Sequence, residues 1–336
     1  MSAGLPAGVS ALLFGAARAR RRLERALAER LERDGFAEVL LPILDYFDPY
    51  RALAAGAERE LYRFVDRDGE LLTLRGDFTP MLARLLAPRV GSLELPARLY
   101  YRGDVVRNRD AGPGGAREQC VVGVELLDAQ AAGVDGPASR AHDEELLALL
   151  IELLGLAIGF DPARPVEGER AAGGVALVLG WSGVLDELLA GEDEALAEAL
   201  ARRDRAAVRG RPALHEIVED GLPDDPSALG SRGAAAVGAL IELRDRFAAR
   251  YPGVSLRIDL AELAPGRPGR RVYYDGLVFQ AFHPRVAQPV ASGGRYDALF
   301  RELGAALGAA GFQIALDVLL GIVPPDGAPA GARGAG

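Results

Sequence analysis

The sequence contains no lysine: all 39 of its Lys and Arg positions are arginine. That absence closes Schiff-base chemistry, the phosphate-loop lysine and the kinase strand lysine together, because each requires an ε-ammonium. Cysteine is almost missing as well. The lone Cys120 permits no intrachain disulfide and no cysteine-rich zinc site, and His142, His215 and His283 stand too far apart for a local metal-ligand cluster. A reducing cytoplasm suits such a chain, and neither a metal nor a cofactor is expected. Long hydrophobic runs are lacking too. The best, Leu146 to Phe160, is shorter than the roughly 20 residues of a membrane span, and it carries Glu152. The apolar patch "VSALLFGAA" precedes its arginine cluster, the reverse of the secretory order. Net positive charge is also absent: 48 acidic against 39 basic side chains give a formal charge of -9. No basic field draws the chain to nucleic acid or an anionic membrane. The scarcity of Asn and Lys beside abundant Ala, Gly and Arg reflects composition bias and carries no function.

What is present is ample core-forming material, 49% hydrophobic over 336 residues, enough for about two domains or one with an insertion. "ARARRRLERALAERLERDGF" places Leu23, Leu27 and Leu31 one turn apart and predicts an amphipathic helix closed by Gly35. "AEVLLPILDYF" has the apolar density of a strand, and Pro42 within it restricts that strand to an edge or a chain contact. "LYRFV", "DRDG" and "ELLTLR" predict a hairpin, followed by a helix with Thr79 as N-cap and Pro80 at its first position. "ARLYYRGDVVR" and "EQCVVGVELL" predict antiparallel strands around a Gly/Pro loop. Helical periodicity dominates 140–156 and 183–250. Strand signals return at "VSLRIDLAEL", "RVYYDGLVFQAFHP" and "PVASGGRYDALF", and "GFQIALDVLLGIV" reads as a helix. The expected architecture is α+β: an antiparallel sheet flanked by helices, with core segments at 1–182 and 251–323, a helical insertion at 183–250, and a compositionally disordered tail at 324–336.

Five strings in order, "LRGDFTPMLARL", "RLYYRGDVVR" with "GVELL", "YYDGLVFQAF", "GGRYDAL" and "GFQIALDVLL", resemble the catalytic core of histidyl-tRNA synthetase, a class II aminoacyl-tRNA synthetase. The resemblance runs to about Val323. It implies that "GFAEVLLPILDYF" is the first motif of the class, a dimer-forming strand, and that the Tyr100–Leu127 stretch is the nucleotide-clamping hairpin. Arg107 then aligns with the arginine that pairs with an α-phosphate. Arg109 and Arg117 read better as solvated surface charges.

By the same resemblance, Asp77 stands where a carboxylate takes a substrate ammonium, with Thr79 close by, while Glu125 and Tyr274 stand where a carboxylate and a phenol meet an imidazole. Tyr273 and Tyr274 alternate on their strand, so one of them faces the cleft. Arg295 of "GGRYDAL" either points into the cleft or belongs to a turn. A local arginine, Arg102 or Arg295, is the alternative partner for Glu125.

The departures are as informative. Val318 occupies the place of the synthetase's adenine-stacking arginine, and Gly269 the place of its histidine-motif arginine, with Arg270 and Arg271 out of register. Val121 replaces a glutamine expected in the amino-acid pocket and cannot bind an ammonium. Only a short tail follows the last motif, where the synthetase carries an anticodon-binding domain of roughly a hundred residues. These losses match one relative of the synthetase, the regulatory subunits of ATP phosphoribosyltransferase. That resemblance implies a pseudoenzyme that activates a short-form catalytic subunit at the first step of histidine biosynthesis, with histidine as effector and no tRNA partner. A truncated but active histidine-activating enzyme and a histidine-sensing protein with another partner are the alternatives.

Overall fold

In the computed structural model the structure describes residues 4–53, 57–109, 115–133, 137–165, 174–185, 188–189, 194–261 and 274–323. The chain opens with α1 (Phe14–Arg33), followed by β1 (Ala37–Glu38), β2 (Leu44–Tyr46), α2 (Asp48–Leu53), β3 (Arg63–Val65), β4 (Leu71–Leu74) and α3 (Thr79–Leu86). The long strands β5 (Ala97–Val106) and β6 (Glu118–Asp128) come next, then α4 (Pro137–Ile158) and β7 (Val175–Trp181). Helices α5 (Glu194–Ala201), α6 (Pro212–Asp220) and α7 (Gly230–Arg250) lead to β8 (Val254–Ile258). The chain then adds β9 (Leu277–Phe282), β10 (Ala291–Arg295), α8 (Asp297–Glu302), β11 (Gly308–Ala315) and α9 (Leu316–Leu320).

One sheet of eight strands, ordered β1-β5-β6-β11-β10-β9-β7-β8, forms the floor of the molecule, and a small sheet β2-β4-β3 stands beside it. The large sheet is antiparallel except at its two edges, where β1 joins β5 and β8 joins β7 in parallel. Strand alternation sorts its side chains. Val122, Val124 and Leu126 of β6, with Phe312 and Ile314 of β11, join α1, α4 and α7 in the main apolar core. Their neighbours Val121 and Leu127 face the opposite side, in two smaller clusters.

Helix α1 forms as expected: Leu27 and Leu31 are fully buried on the core stripe, and Gly35 follows its end at φ +83. α4 is buried along most of its length, which explains an apolar run too short for a membrane. Among the described residues no helix is long and apolar enough to cross one.

Two expectations give way. "AEVLLPILDYF" is not one strand but two short ones in different sheets, β1 on β5 and β2 on β4. Pro42 lies at the crossing, where the Arg75 Nη1 donates to the carbonyls of Leu41 and Pro42 at 2.7 and 2.9 Å. A guanidinium thus satisfies carbonyls that a ladder would otherwise hold. "GFQIALDVLLGIV" begins as a strand: β11 pairs with both β6 and β10 at the centre of the sheet. Gly311 permits that placement, because a Cβ there would lie 2.5 Å from the Val124 carbonyl and 1.8 Å from Glu125 Oε2. Small residues adapt a strand to close cover on both faces. The helix signal belongs only to α9.

Candidate functional site

The cleft lies on the sheet face opposite the main core. Across β5, β6, β11 and β10 one row runs Tyr101, Gly123, Gln313, Ser292, and the next runs Leu99, Glu125, Gly311, Gly294. In each row a glycine lies beside a polar side chain: Gly123 beside Tyr101, and Gly311 beside Glu125. A Cβ on Gly123 would collide with the Tyr101 ring at 2.2 Å, as one on Gly311 would with Glu125. The two bare positions therefore create the space in which Tyr101 and Glu125 lie over the sheet.

Asp77, Thr79, Arg107, Glu125 and Tyr274 all line one cavity of about 150 Å³, together with Ser292, Tyr296 and Gln313. α3 delivers the first two. Its first residue is Thr79, with Pro80 second, and Thr79 is not the expected cap. Its hydroxyl donates to Glu125 Oε1 at 2.7 Å, while Asp77 Oδ1 accepts from the Thr79 amide at 3.0 Å. Behind them Phe78 stacks on Tyr101 with centroids 4.1 Å apart, and the Arg75 guanidinium lies 3.8 Å from the other side of the Phe78 ring.

Glu125 is 1% exposed, and its hydrogen-bond partners among the described residues are hydroxyls: Thr79 and Tyr101 (3.3 Å) on Oε1, and Tyr296, in a short bond, on Oε2. Burial pushes its carboxyl up from 4.5 to about 8, against the hydroxyl bonds that pull it down and with the Asp77 charge that adds to the rise. Neither local arginine supplies a counter-charge: Arg102 pairs with Glu38 at 2.7 Å, and Arg295 pairs elsewhere. Glu125 is thus poised as a neutral acid that a cationic or donor ligand would ionise. Burial raises the Tyr101 and Tyr274 phenols as well, so both remain donors.

Arg107 donates through Nε to the Gly76 carbonyl at 2.9 Å, and its Nη2 stands 3.9 Å from Asp77 Oδ2. Among the described residues lining the cavity it is the single cation. Arg109 pairs with Glu60 at 2.6 Å on the surface, and Arg117 bonds the Arg109 carbonyl at 3.0 Å, both outside the cavity lining.

Arg295 is a correction. It is fully buried on the helix side of β10, where it bonds Asp143 at 2.7 Å, Asp297 at 3.0 Å and the carbonyls of Ala131 and Ser139. The reason is alternation: Ser292 faces the cleft, so Arg295, three places on, faces α4. Tyr296, the next residue, is the one that reaches Glu125. Tyr273 and Gly269, with Arg270 and Arg271, lie outside the described residues. Val318 packs half-buried against the main core, and Val121 lies buried with Phe78 and Tyr101.

Tyr101, Tyr296, Ser292 and Gln313 are the cleft residues that sequence reasoning misses. Gln313 Nε2 donates to Asp77 Oδ1 at 2.9 Å and to the Tyr101 hydroxyl at 3.0 Å. Its signal was the polar position of "GFQIA", legible once that string is a strand.

A helix-backed, mostly antiparallel sheet with such a cleft on its open face is the class II synthetase core, and the histidyl-tRNA synthetase family profile matches residues 8–319. The ATP phosphoribosyltransferase regulatory subunit of Moorella thermoacetica is 34% identical, the alignment covering 94% of this chain and 81% of that protein. The regulatory subunit of Symbiobacterium thermophilum is 32% identical, over 94% of this chain and 79% of its own length. A crystal structure titled ATP phosphoribosyltransferase regulatory subunit/histidyl-tRNA synthetase, from Bacillus halodurans, superposes with a TM-score of 0.72 at 22% identity, covering 96% of this chain and 83% of that one. At that identity the superposition speaks to fold. The chain belongs, within the histidyl-tRNA synthetase class, to the family of ATP phosphoribosyltransferase regulatory subunits.

Proposed function

We propose that this chain is a non-catalytic regulatory subunit: it activates a short-form ATP phosphoribosyltransferase catalytic subunit in the cytoplasm and helps confer histidine feedback on the first step of histidine biosynthesis. Beyond the family itself, the observation that carries this reading is the charge of the cleft. Activation of an amino acid by ATP requires positive charge on the developing phosphorane. Here one guanidinium, Arg107, faces two acidic side chains, Asp77 and Glu125. Even with Glu125 protonated, the described lining carries no surplus of positive charge. The place of the adenine-stacking arginine holds Val318, which packs on the core. The cleft fits a small effector better than a triphosphate, with Glu125 and Tyr274 offered to an imidazole.

Self-association belongs to the same reading. The small sheet brings Leu44, Tyr46 and Phe64 to one face by register, and they are 47%, 54% and 39% exposed; Leu40, in the segment leading into β2, is 81% exposed. An apolar face of this kind is best buried against a second copy.

Titration of the full chain into a short catalytic subunit, following phosphoribosyl-ATP formation, tests the function. Activity should rise and saturate, and histidine should reverse the gain, because an activator must bind the active state of its partner more tightly than the inactive one. Absence of activation at micromolar excess removes the assignment. Histidine-dependent exchange of pyrophosphate into ATP should stay at background; exchange above it restores the synthetase reading.

A further inference from the structure

We infer that Gln313 is a specificity-determining side chain that occupies the ammonium position of the cleft, so that the α-amino group of a ligand adds nothing to its affinity. The inference rests on the effector-pocket reading above.

An ammonium has three donors and needs acceptors arranged around it. In this cavity Asp77 Oδ1 and the Tyr101 hydroxyl stand within reach of one group, and both already accept hydrogen bonds. Gln313 Nε2 spans them at 2.9 and 3.0 Å, using both of its N-H groups. The same Asp77 oxygen also accepts the Thr79 amide at 3.0 Å, and the other faces Arg107 Nη2 at 3.9 Å. A ligand ammonium entering here must displace the amide, break two hydrogen bonds and leave the Gln313 head group to find new partners.

The placement is built into the sheet. Gln313 lies directly across from Gly123, whose missing side chain leaves room for the Tyr101 ring, and one row from Gly311 and Glu125. β11 holds the amide over the cleft from a central strand with partners on both sides. Glu125 differs from Asp77. Its hydrogen bonds come from hydroxyls, which can also accept, so a ligand donor can enter there by reorienting Thr79, Tyr101 or Tyr296. The closed cleft thus recognises a ring N-H through Glu125 and is indifferent to an α-amino group.

Calorimetry on the full chain, with L-histidine and with imidazolepropionate, which lacks the amino group, tests this. In the wild type the two should bind within about threefold of each other. Gln313→Met, of similar length but without donors, should tighten histidine about tenfold or more, the effect of one charge-assisted hydrogen bond, and leave imidazolepropionate unchanged. Asp77→Asn should weaken histidine in the Gln313→Met background and barely alter it in the wild type, a coupling that a purely structural role of Gln313 does not produce. Wild type that prefers histidine about tenfold, with equal losses on Asp77→Asn in both backgrounds, overturns the inference while leaving the effector pocket standing. Failure of both probes to bind either protein brings down the pocket reading and this inference with it.

Discussion

Replacing Glu125 by glutamine removes a titration while keeping the shape of the side chain. Burial raises the Glu125 carboxyl from 4.5 to about 8, so the native protein holds its proton at neutral pH and the unfolded chain releases it. The sign follows from linkage: where the unfolded state binds fewer protons, stability falls as pH rises. The wild type should therefore lose stability between about pH 4.5 and pH 8 through this group, with a plateau above. At about 1.4 kcal/mol per pH decade, a rise of about 3.5 decades sets a ceiling near 5 kcal/mol. Glutamine carries no such penalty. Its carbonyl keeps an acceptor for Thr79 and Tyr101, and its amide can donate to the Tyr296 oxygen, so its own cost should be about 1 kcal/mol and independent of pH. Urea unfolding of both proteins at one protein concentration, at pH 5, 7 and 9, isolates the effect, since titrations away from the cleft cancel in the difference. The variant should gain about 3 to 4 kcal/mol on the wild type between pH 5 and pH 9, since about 3 of the 3.5 decades lie in that range. A difference that stays constant within about 0.5 kcal/mol across that range would refute the neutral, hydroxyl-held Glu125.

Arg295→Met should destabilise the protein by about 3 to 5 kcal/mol, because it strands Asp143 and Asp297, both buried, without their counter-charge; a urea-derived loss below about 1 kcal/mol would show that the pair is dispensable. Leu40→Asp combined with Tyr46→Asp should yield monomers in light scattering with an unchanged circular dichroism spectrum, and retention of the native mass would move the self-association surface elsewhere.

Local chemistry made much of this protein legible from its sequence. The α1 stripe of Leu23, Leu27 and Leu31, the β3-β4 hairpin around "DRDG", and the β5-β6 pair are each specified by neighbours a few residues apart, and all three form as read. Asp77, Thr79, Arg107, Glu125 and Tyr274, named from short motifs, converge on one cavity. What sequence could not supply was decided by long-range pairing. "AEVLLPILDYF" is apolar over most of its length, and only the arrival of Arg75 and of two separate sheets cuts it at Pro42. "GFQIALDVLL" carries a helix's apolar density, yet β6 and β10 claim its first half, because glycine and alanine fit a strand covered on both faces. Strand register then chose which side chain of each alternating pair faces the cleft: Tyr296 rather than Arg295, and Gln313, 236 positions away from the Asp77 that its amide occupies. A residue's type is written in the chain, but the partner across the sheet that gives it a role exists only once the strands are in register.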